Sequence, residues 1–298
     1  MHVTPQLLLN FLLAGVVIGA LYALMAMGIT FIYSIMKMIN WAMGEFYMLG
    51  SYSQWFLISF ILGGHYWYLG IVGTAIIMFL IGLVVQFLLI RPMFSTSMER
   101  RDEYGTVITI ALALFLRNLA TVLSGPNTRT PDIDLGRVML GSLPLGGERF
   151  AAFVGAIIVI ILFYWLLNHT WLGLAFKASS QNRVGVQTAG INVLRIDQLA
   201  FAVGVTLAGV AGALLAPVFL VFPENGAVTT VKGFEIIIIG GLGSLPGAAI
   251  GGLLLGIVES LGSVFGGTSL RNVYGFIFLI IVLVIKPTGL FGERERLS

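Results

Sequence analysis

Three side chains with polar or charged ends stand where the sequence would have to bury them. Asn40 and Glu45 fall between the first two long apolar runs, and Glu259 falls well inside a later run. Such groups are costly in hydrocarbon unless they are paired or line a wet cavity. Their placement leads to the hypothesis that all three face a solute pathway.

Each of these residues also has a plainer interpretation. Asn40 could cap the helix that follows it, and Glu45 would then be favourable in the first helical turn. The physical properties of these two residues, taken alone, favour this interfacial turn. Glu259 could face a cavity or pair with a neighbouring chain. The sequence leaves these alternatives open.

A glycine-rich break follows four consecutive isoleucines at 236–239 and contains Gly241, Gly243 and Ser244. Irregular backbone at membrane depth is tolerated only inside protein or against a cavity. The stretch lacks a Gly-Lys-Ser/Thr ending, so it is not a phosphate-binding loop. We predict either a pathway role for Gly241, Gly243 and Ser244 or a tight cytoplasmic turn that does not contact the solute.

Other chemistries lack the residues they need. The chain has no cysteine, which excludes disulfides and thiolate metal sites. His2, His65 and His169 share no metal-ligand spacing, so no metal site and no cofactor are expected. No Ser–His, Gly-x-Gly-Asp or HExxH arrangement is present, and we expect no enzymatic activity. The net charge of +3 is spread along the chain and does not indicate a nucleic-acid surface.

The composition places these residues in a membrane. Of 298 residues, 58% are hydrophobic and 10% are charged, and the mean hydropathy is +1.01. A soluble domain carries roughly a quarter charged residues. Because a helical crossing takes about 20 residues, the sequence predicts an all-α, polytopic transmembrane helix bundle. We expect about eight or nine spans with broken helices, in a single domain over residues 1–298.

Nine apolar runs carry the predicted spans. They lie at about 7–34, 44–62, 68–90, 105–123, 150–168, 198–221, 233–245, 247–266 and 271–286. The seventh run is short, and whether it crosses the membrane is the main ambiguity. Counting it as a crossing places the two termini on opposite sides.

The positions of Lys and Arg predict which side of the membrane each connection faces, because cytoplasmic connections are enriched in both. One set of connections holds ten basic residues: Lys37, Arg91, Arg100, Arg101, Lys177, Arg183, Arg195, Lys286, Arg294 and Arg296. The other set holds five: Arg129, Arg137, Arg149, Lys232 and Arg271. We therefore expect the N-terminus outside and the C-terminus in the cytoplasm.

Three further features follow from this orientation. Residues 124–149 form an external loop, and residues 169–197 form a cytoplasmic loop with room for one or two short helices. Arg117 lies inside the fourth run near its external end, and we expect its side chain to snorkel to the interface.

Three stretches carry a family resemblance. The first is Gly19–Leu24 leading into N-W-A-M-G-E-F-Y-M-L-G at 40–50, the second is A-G-I-N at 189–192 with A-G-V-A-G at 208–212, and the third is G-G-L-G-S-L-P-G-A at 240–248. In order and spacing they resemble the permease subunits of ATP-binding-cassette importers for branched-chain amino acids, over about residues 6–292. Trp41 and Met43 depart from that family's usual Phe and His, so a histidine role at position 43 is absent here.

The resemblance implies a half-channel in the lipid bilayer of the inner membrane, paired with a second permease that is identical or paralogous. Two cytoplasmic ATP-binding-cassette ATPases and an extracytoplasmic solute-binding protein would complete the importer. It also implies a cytoplasmic coupling loop at about 177–197. The residues expected to dock on an ATPase are Ser180, Arg183, Gly185, Val186 and Gly190, with Arg183 at the surface.

The solute is constrained only loosely. A route lined by apolar and small residues suits branched-chain amino acids, whereas a sugar would need many hydroxyl partners. Urea and short amides stay open, because they need only neutral hydrogen-bonding groups. An ion-coupled secondary transporter would use midplane carboxylates, for which Glu45 and Glu259 are candidates, but the sequence shows no internal charge relay.

The expected orientation can be checked by labelling, since the chain has no cysteine of its own. Asn127→Cys should react with a membrane-impermeant thiol reagent in intact cells, because the 124–149 loop is external. Ser298→Cys should react only after the cytoplasmic side has been opened. The reverse pattern at either position would contradict the orientation.

Overall fold

The computed structural model describes residues 5–94, 100–140 and 143–292. The predicted all-α fold is confirmed, with eleven α-helices in these ranges: α1 Pro5–Met36, α2 Met43–Leu57, α3 Trp67–Val85, α4 Arg101–Ser124, α5 Gly147–His169, α6 Trp171–Gln181, α7 Arg183–Thr188, α8 Val193–Leu215, α9 Asn225–Gly240, α10 Leu245–Gly266 and α11 Arg271–Ile285. A π-helix at Ile58–Leu62 continues α2. Arg294, Arg296 and Ser298, which enter the orientation argument, lie outside the described residues.

Seven helical stretches within the described ranges are long and apolar enough to cross a bilayer, and α2 and α9 are not among them. The 16 residues of α9 rise only about 24 Å, less than the roughly 30 Å of a hydrocarbon core. Each of these two helices follows an irregular segment, 37–42 before α2 and 216–224 before α9. In both cases, helix and segment together run between the two ends of the bundle. These two passages and the seven long stretches make nine, within the predicted eight or nine.

Backbone contacts define those two ends. At one end, Arg129 and Val221 exchange backbone hydrogen bonds of 2.7 and 2.8 Å. We call it the hairpin end, after the β-hairpin that follows Arg129 in the same loop. At the other, which we call the turn end, the amides of Leu290 and Phe291 donate to the carbonyls at the end of α9, over 2.8 and 2.9 Å. Helix α9 therefore leads from the hairpin end to the turn end.

The loop at 124–149 contains a β-hairpin that the apolar-run pattern did not predict. Strand β1, Arg137–Leu140, pairs antiparallel with β2, Leu143–Gly146, with Arg137 opposite Gly146. The hairpin leads directly into α5. At the turn end, the prediction of one or two short helices within 169–197 is confirmed by α6 and α7.

Small residues set the packing of the central helices. The pairs Gly15/Gly19 on α1 and Gly252/Gly256 on α10 face each other, and a Cβ built on Gly256 would lie 2.5 Å from the Cα of Gly19. Only glycine therefore permits this approach, as expected of small residues at an interface between membrane helices. Helix α8 packs in the same way on α1 and α2, so α1, α2, α8 and α10 form the core.

The boundary predicted for the seventh run is wrong. Helix α9 begins at Asn225, well before the run at 233, and the far end of that run belongs to α10. Thr229 and Thr230 interrupt the apolar pattern, but each hydroxyl donates to the carbonyl four residues earlier, at 2.7 and 3.0 Å. The polar residues are thus accommodated in helix, and Lys232 lies inside α9 instead of in a connection.

Candidate functional site

The chain between α1 and α2 is irregular, and alternate residues of it are buried. Helix α1 ends as Lys37 takes a left-handed φ of 54° and its amide donates to the Tyr33 carbonyl at 2.9 Å. Asn40 is buried, and its Oδ1 accepts from the Ala42 amide at 3.0 Å. Asn40 therefore makes a turn before α2 and is not its N-cap, which is Ala42. Its Nδ2 is buried without a hydrogen-bond partner among the described residues.

Contacts with α4 and α9 place this segment inside the bundle. The Trp41 amide donates to Oγ1 of Thr109 at 3.3 Å, and the Trp41 ring lies 4.7 Å from that of Phe234. Thr109 follows the start of α4 at Arg101 by roughly 12 Å of helix rise. The break is therefore packed against protein through Met38, Asn40 and Ala42, while Ile39 and Trp41 are exposed.

Glu45, in the first turn of α2, is paired with Arg117 of α4. Its Oε1 accepts from Nη2 of Arg117 at 2.7 Å and from Nε at 3.3 Å. The Arg117 side chain is 32% exposed and that of Glu45 is fully enclosed. The guanidinium thus turns to a carboxylate inside the bundle, which corrects the expectation that Arg117 snorkels. The other Glu45 oxygen is buried against Gly226 in the first turn of α9, where the helix dipole favours a negative charge.

Glu259, in α10, is the centre of a buried ion network. Its Oε1 pairs with Nζ of Lys232, while Oε2 accepts from Nε of Arg271 at 2.9 Å and from the Tyr22 hydroxyl at 3.2 Å. Lys232 also donates to Oε2 of Glu235 at 2.9 Å. Two cations and two carboxylates balance in formal charge, and the network joins α1, α9, α10 and α11.

This network answers the alternatives left open for Glu259. The carboxylate is paired within its own chain, in an ion network that the sequence analysis did not predict. The detectable signal was the spacing of Lys232 and Glu235, which are i and i+3 on one helix. It was missed because the helix start was placed after Lys232. In the described residues, no group of three or more His, Asp or Glu side chains is placed to hold a metal ion.

The turn between α9 and α10 requires glycine at two positions. Gly241 and Gly243 have φ of 101° and 83°, in the left-handed region. Ser244 is the N-cap of α10, with its Oγ accepting from the Gly247 amide at 3.1 Å. This turn lies at one end of α10, about 22 Å of helix rise from Glu259. The structure therefore places the predicted pathway residues in three separate surroundings.

The short helices at the turn end are tied back into the bundle. The Arg183 guanidinium donates to both carboxylate oxygens of Asp197, at 3.1 and 2.5 Å, and to the Ile35 carbonyl at 3.0 Å. Arg183 is thereby committed within the chain, which corrects the expectation that it faces outward. Val186 is buried, whereas Val184 is 69% exposed.

A cavity of about 250 Å³ connects two sets of predicted residues. Ser180 lines it from α6, and Gly243 and Ser244 line it from the α9–α10 turn. Gly185 is exposed on α7, and Gly190, with φ of 81°, closes the turn that follows. Of the residues predicted for ATPase docking, Ser180 is therefore a neighbour of the glycine turn.

Comparisons with known proteins give the chain its relatives. Residues 11–285 match the family described as branched-chain amino acid transport system, permease component. The high-affinity branched-chain amino acid transport system permease protein LivH of Salmonella typhimurium is 33% identical, with 94% of each chain covered. The corresponding BraD permease protein of Pseudomonas aeruginosa is 30% identical, with 95% of each chain covered. LivM, also named a permease protein of that system in Salmonella typhimurium, is 23% identical over 91% of this chain and 67% of its own length. No solved structure matches.

The Glu45–Arg117 pair can be tested by a double-mutant cycle. Arg117→Leu should destabilise the purified protein strongly, because it leaves the Glu45 carboxylate buried and unpaired. Breaking a buried pair costs about 3–5 kcal/mol, and the partial exposure of Arg117 favours the lower part of that range. Glu45→Gln/Arg117→Leu should recover most of the loss in unfolding measurements in detergent.

The control is Arg100→Leu, which breaks the exposed Arg100–Glu103 pair and should change stability by less than about 1 kcal/mol. Strictly additive losses in the Glu45 and Arg117 variants would contradict a coupled pair.

Proposed function

Because the chain belongs to the family of branched-chain amino acid transport permease components, we propose that it forms half of the translocation pathway of an ATP-driven importer for branched-chain amino acids. The family match over nearly the whole chain carries this proposal. The fold supports it, since a bundle with irregular backbone packed against neighbouring helices is the kind of scaffold that builds transport sites. ATP hydrolysis would take place in separate subunits, and we propose no enzymatic activity for this chain.

The proposed importer needs three kinds of partner. The first is a second permease, either another copy of this chain or a paralogue. LivH and LivM of Salmonella typhimurium bear the name of one transport system, which supports a pair of unlike permeases. Two cytoplasmic ATP-binding-cassette ATPases and an extracytoplasmic solute-binding protein complete the assembly.

The proposed orientation in the inner membrane has the N-terminus outside and the C-terminus in the cytoplasm. With Lys232 assigned to the inside of α9, four basic residues stay at the hairpin end: Arg129, Arg137, Arg149 and Arg271. Eight described basic residues belong to the connections at the turn end: Lys37, Arg91, Arg100, Arg101, Lys177, Arg183, Arg195 and Lys286. The corrected balance of eight to four supports a cytoplasmic turn end.

The proposed ATPase contact is the exposed face of α6 and α7, with Ser180, Gly185 and Gly190 at its edges. Val184 projects from this face, while Val186 packs inward. A push on α7 would reach α8 and α1 through the Arg183 bonds to Asp197 and Ile35.

Reconstitution of the four-part assembly in proteoliposomes tests the transport function. Leucine, isoleucine or valine uptake should require ATP and survive an uncoupler. Asn40→Leu and Gly243→Leu should each lower the uptake rate without weakening capture by the binding protein, because the first removes the turn before α2 and the second strains a left-handed position.

Gly125→Leu is the matched control for Gly243→Leu. Gly125 also has a positive φ, 74°, but it follows α4 at the hairpin end, so this variant carries similar backbone strain away from the glycine turn. Uptake of urea but not leucine would overturn the solute assignment. Uptake that the uncoupler abolishes while ATP is present would instead indicate ion coupling, although both buried carboxylates of the earlier hypothesis are already paired with cations.

Disulfide crosslinking tests the ATPase contact. Val184→Cys should crosslink to a cysteine in the facing groove of the ATPase, because this side chain projects outward. Val186→Cys should crosslink poorly, since the same helix turns that side chain into the bundle. Full labelling of Val184→Cys by a soluble thiol reagent in the assembled complex would show that α7 does not form the contact.

A further inference from the structure

A cavity of about 320 Å³ lies among α1, α2, α9 and the irregular segment before α9. Its walls are mainly apolar, with Leu21 and Met25 from α1, Phe222 from the irregular segment and Val228 from α9. None of the pathway residues predicted from sequence is among its lining residues. Its volume is at the lower end of the roughly 300–1,000 Å³ that ligand pockets occupy, so it fits a ligand of modest size.

The polar groups of this cavity come largely from one face of α9. Asn225, Thr229 and Lys232 stand at i, i+4 and i+7, a spacing that aligns side chains on one side of a helix. Lys232 is the one formally charged residue among the lining residues. Tyr22 of α1 also lines the cavity, with its hydroxyl donating to Glu259.

The ion network holds Lys232 in place at the cavity. Glu235 and Glu259 both accept from its ammonium group, and Arg271 and Tyr22 in turn bind Glu259. An ammonium group so fixed keeps its position, and the two carboxylates offset the cost of burying it among apolar walls. It can therefore offer a third donor hydrogen toward an anionic ligand group.

We propose that this cavity is the intramembrane binding site for the transported amino acid, with the ligand carboxylate on Lys232 and its apolar side chain against Leu21, Met25 and Val228. The hydroxyl of Thr229 and the amide oxygen of Asn225 can accept from the α-ammonium group. The positive charge of Lys232 would repel a cationic solute. A sugar would find too few hydrogen-bonding groups on the apolar walls. The inference rests on the proposed function and adds the residues that bind the solute.

Filling the cavity tests the site. Val228→Trp places an indole in the cavity from a side chain that is 53% exposed, and Val84→Trp is the matched control, on α3 at 55% exposure and outside the cavity lining. In the reconstituted four-part assembly we expect Val228→Trp to lower the leucine transported per ATP hydrolysed at least tenfold. Val84→Trp should leave that ratio within twofold of the unmodified protein.

Thiol modification after assembly covers the case in which Val228→Trp fails to assemble. N-ethylmaleimide should abolish leucine uptake by the Val228→Cys assembly and spare the Val84→Cys assembly. An unreactive Val228→Cys in every nucleotide state, or a modified one that still transports at full rate, would overturn the proposal.

A charge-balanced variant tests the role of Lys232. Lys232→Met/Glu235→Gln removes one cation and one carboxylate, so the remaining Arg271 and Glu259 still balance. Leucine uptake by this variant should be at least tenfold lower than uptake by Glu235→Gln, which retains the ammonium group. Equal uptake by both variants would overturn the carboxylate contact. Failure of the unmodified assembly to take up leucine would contradict the proposed function itself, whereas undiminished transport by the cavity variants contradicts the site alone.

Discussion

The pairing of buried charges is the constraint on which the arrangement of the helices depends. An unpaired charge inside a membrane protein is far more costly than a paired one. Glu259 on α10 finds its partners on α9 and α11, so its charge is compensated only when all three helices are in place. Helix α9 needs such a constraint most, because it is too short to be held by the bilayer alone. Its apolar residues would tolerate many rotations, but Lys232 and Glu235 permit only the one that meets Glu259.

The same constraint governs the irregular backbone. Helices α2 and α9 both begin after segments whose amides and carbonyls lack helical partners. Other parts of the bundle supply hydrogen-bond partners instead. Trp41 finds a threonine hydroxyl on α4, and Val221 finds the backbone of Arg129. The N-terminal region of α9 then meets the Glu45 carboxylate, so a helix end that begins inside the protein is compensated by a charge that is itself paired. The irregular segments and the buried charges therefore compensate each other inside the bundle, and they occur together.

Local patterns in the sequence were sufficient for the helices and insufficient for their charge partners. Apolar runs predict the bundle, and the Gly15/Gly19 and Gly252/Gly256 spacings predict close packing, because both are properties of a single helix. Glu45 and Arg117 are 72 residues apart in the chain, and nothing in the spacing of either residue identifies the other. Lys232 was misplaced for a different reason: hydropathy assigns polar residues to connections, whereas a buried helix keeps a lysine when carboxylates surround it. Arg183 shows the same limit, since a basic residue in a polar loop has no local feature that distinguishes a solvent-facing position from a structural ion pair.

Two of the three ion-paired regions would have separate roles in the proposed transport cycle. Arg183 links α7 to α8 and α1 at the turn end, beside the cavity that Ser180 shares with the glycine turn. Displacement of α7 by an ATPase would therefore act on long core helices, which transmit motion as rigid bodies because their glycine contacts leave no room for compression. The Glu259 network lies farther along α10 and includes Tyr22 of α1, so it would follow that motion while holding Lys232 against its partners. The proposed solute cavity would then move together with α1 and α9, and Lys232 would keep its environment throughout.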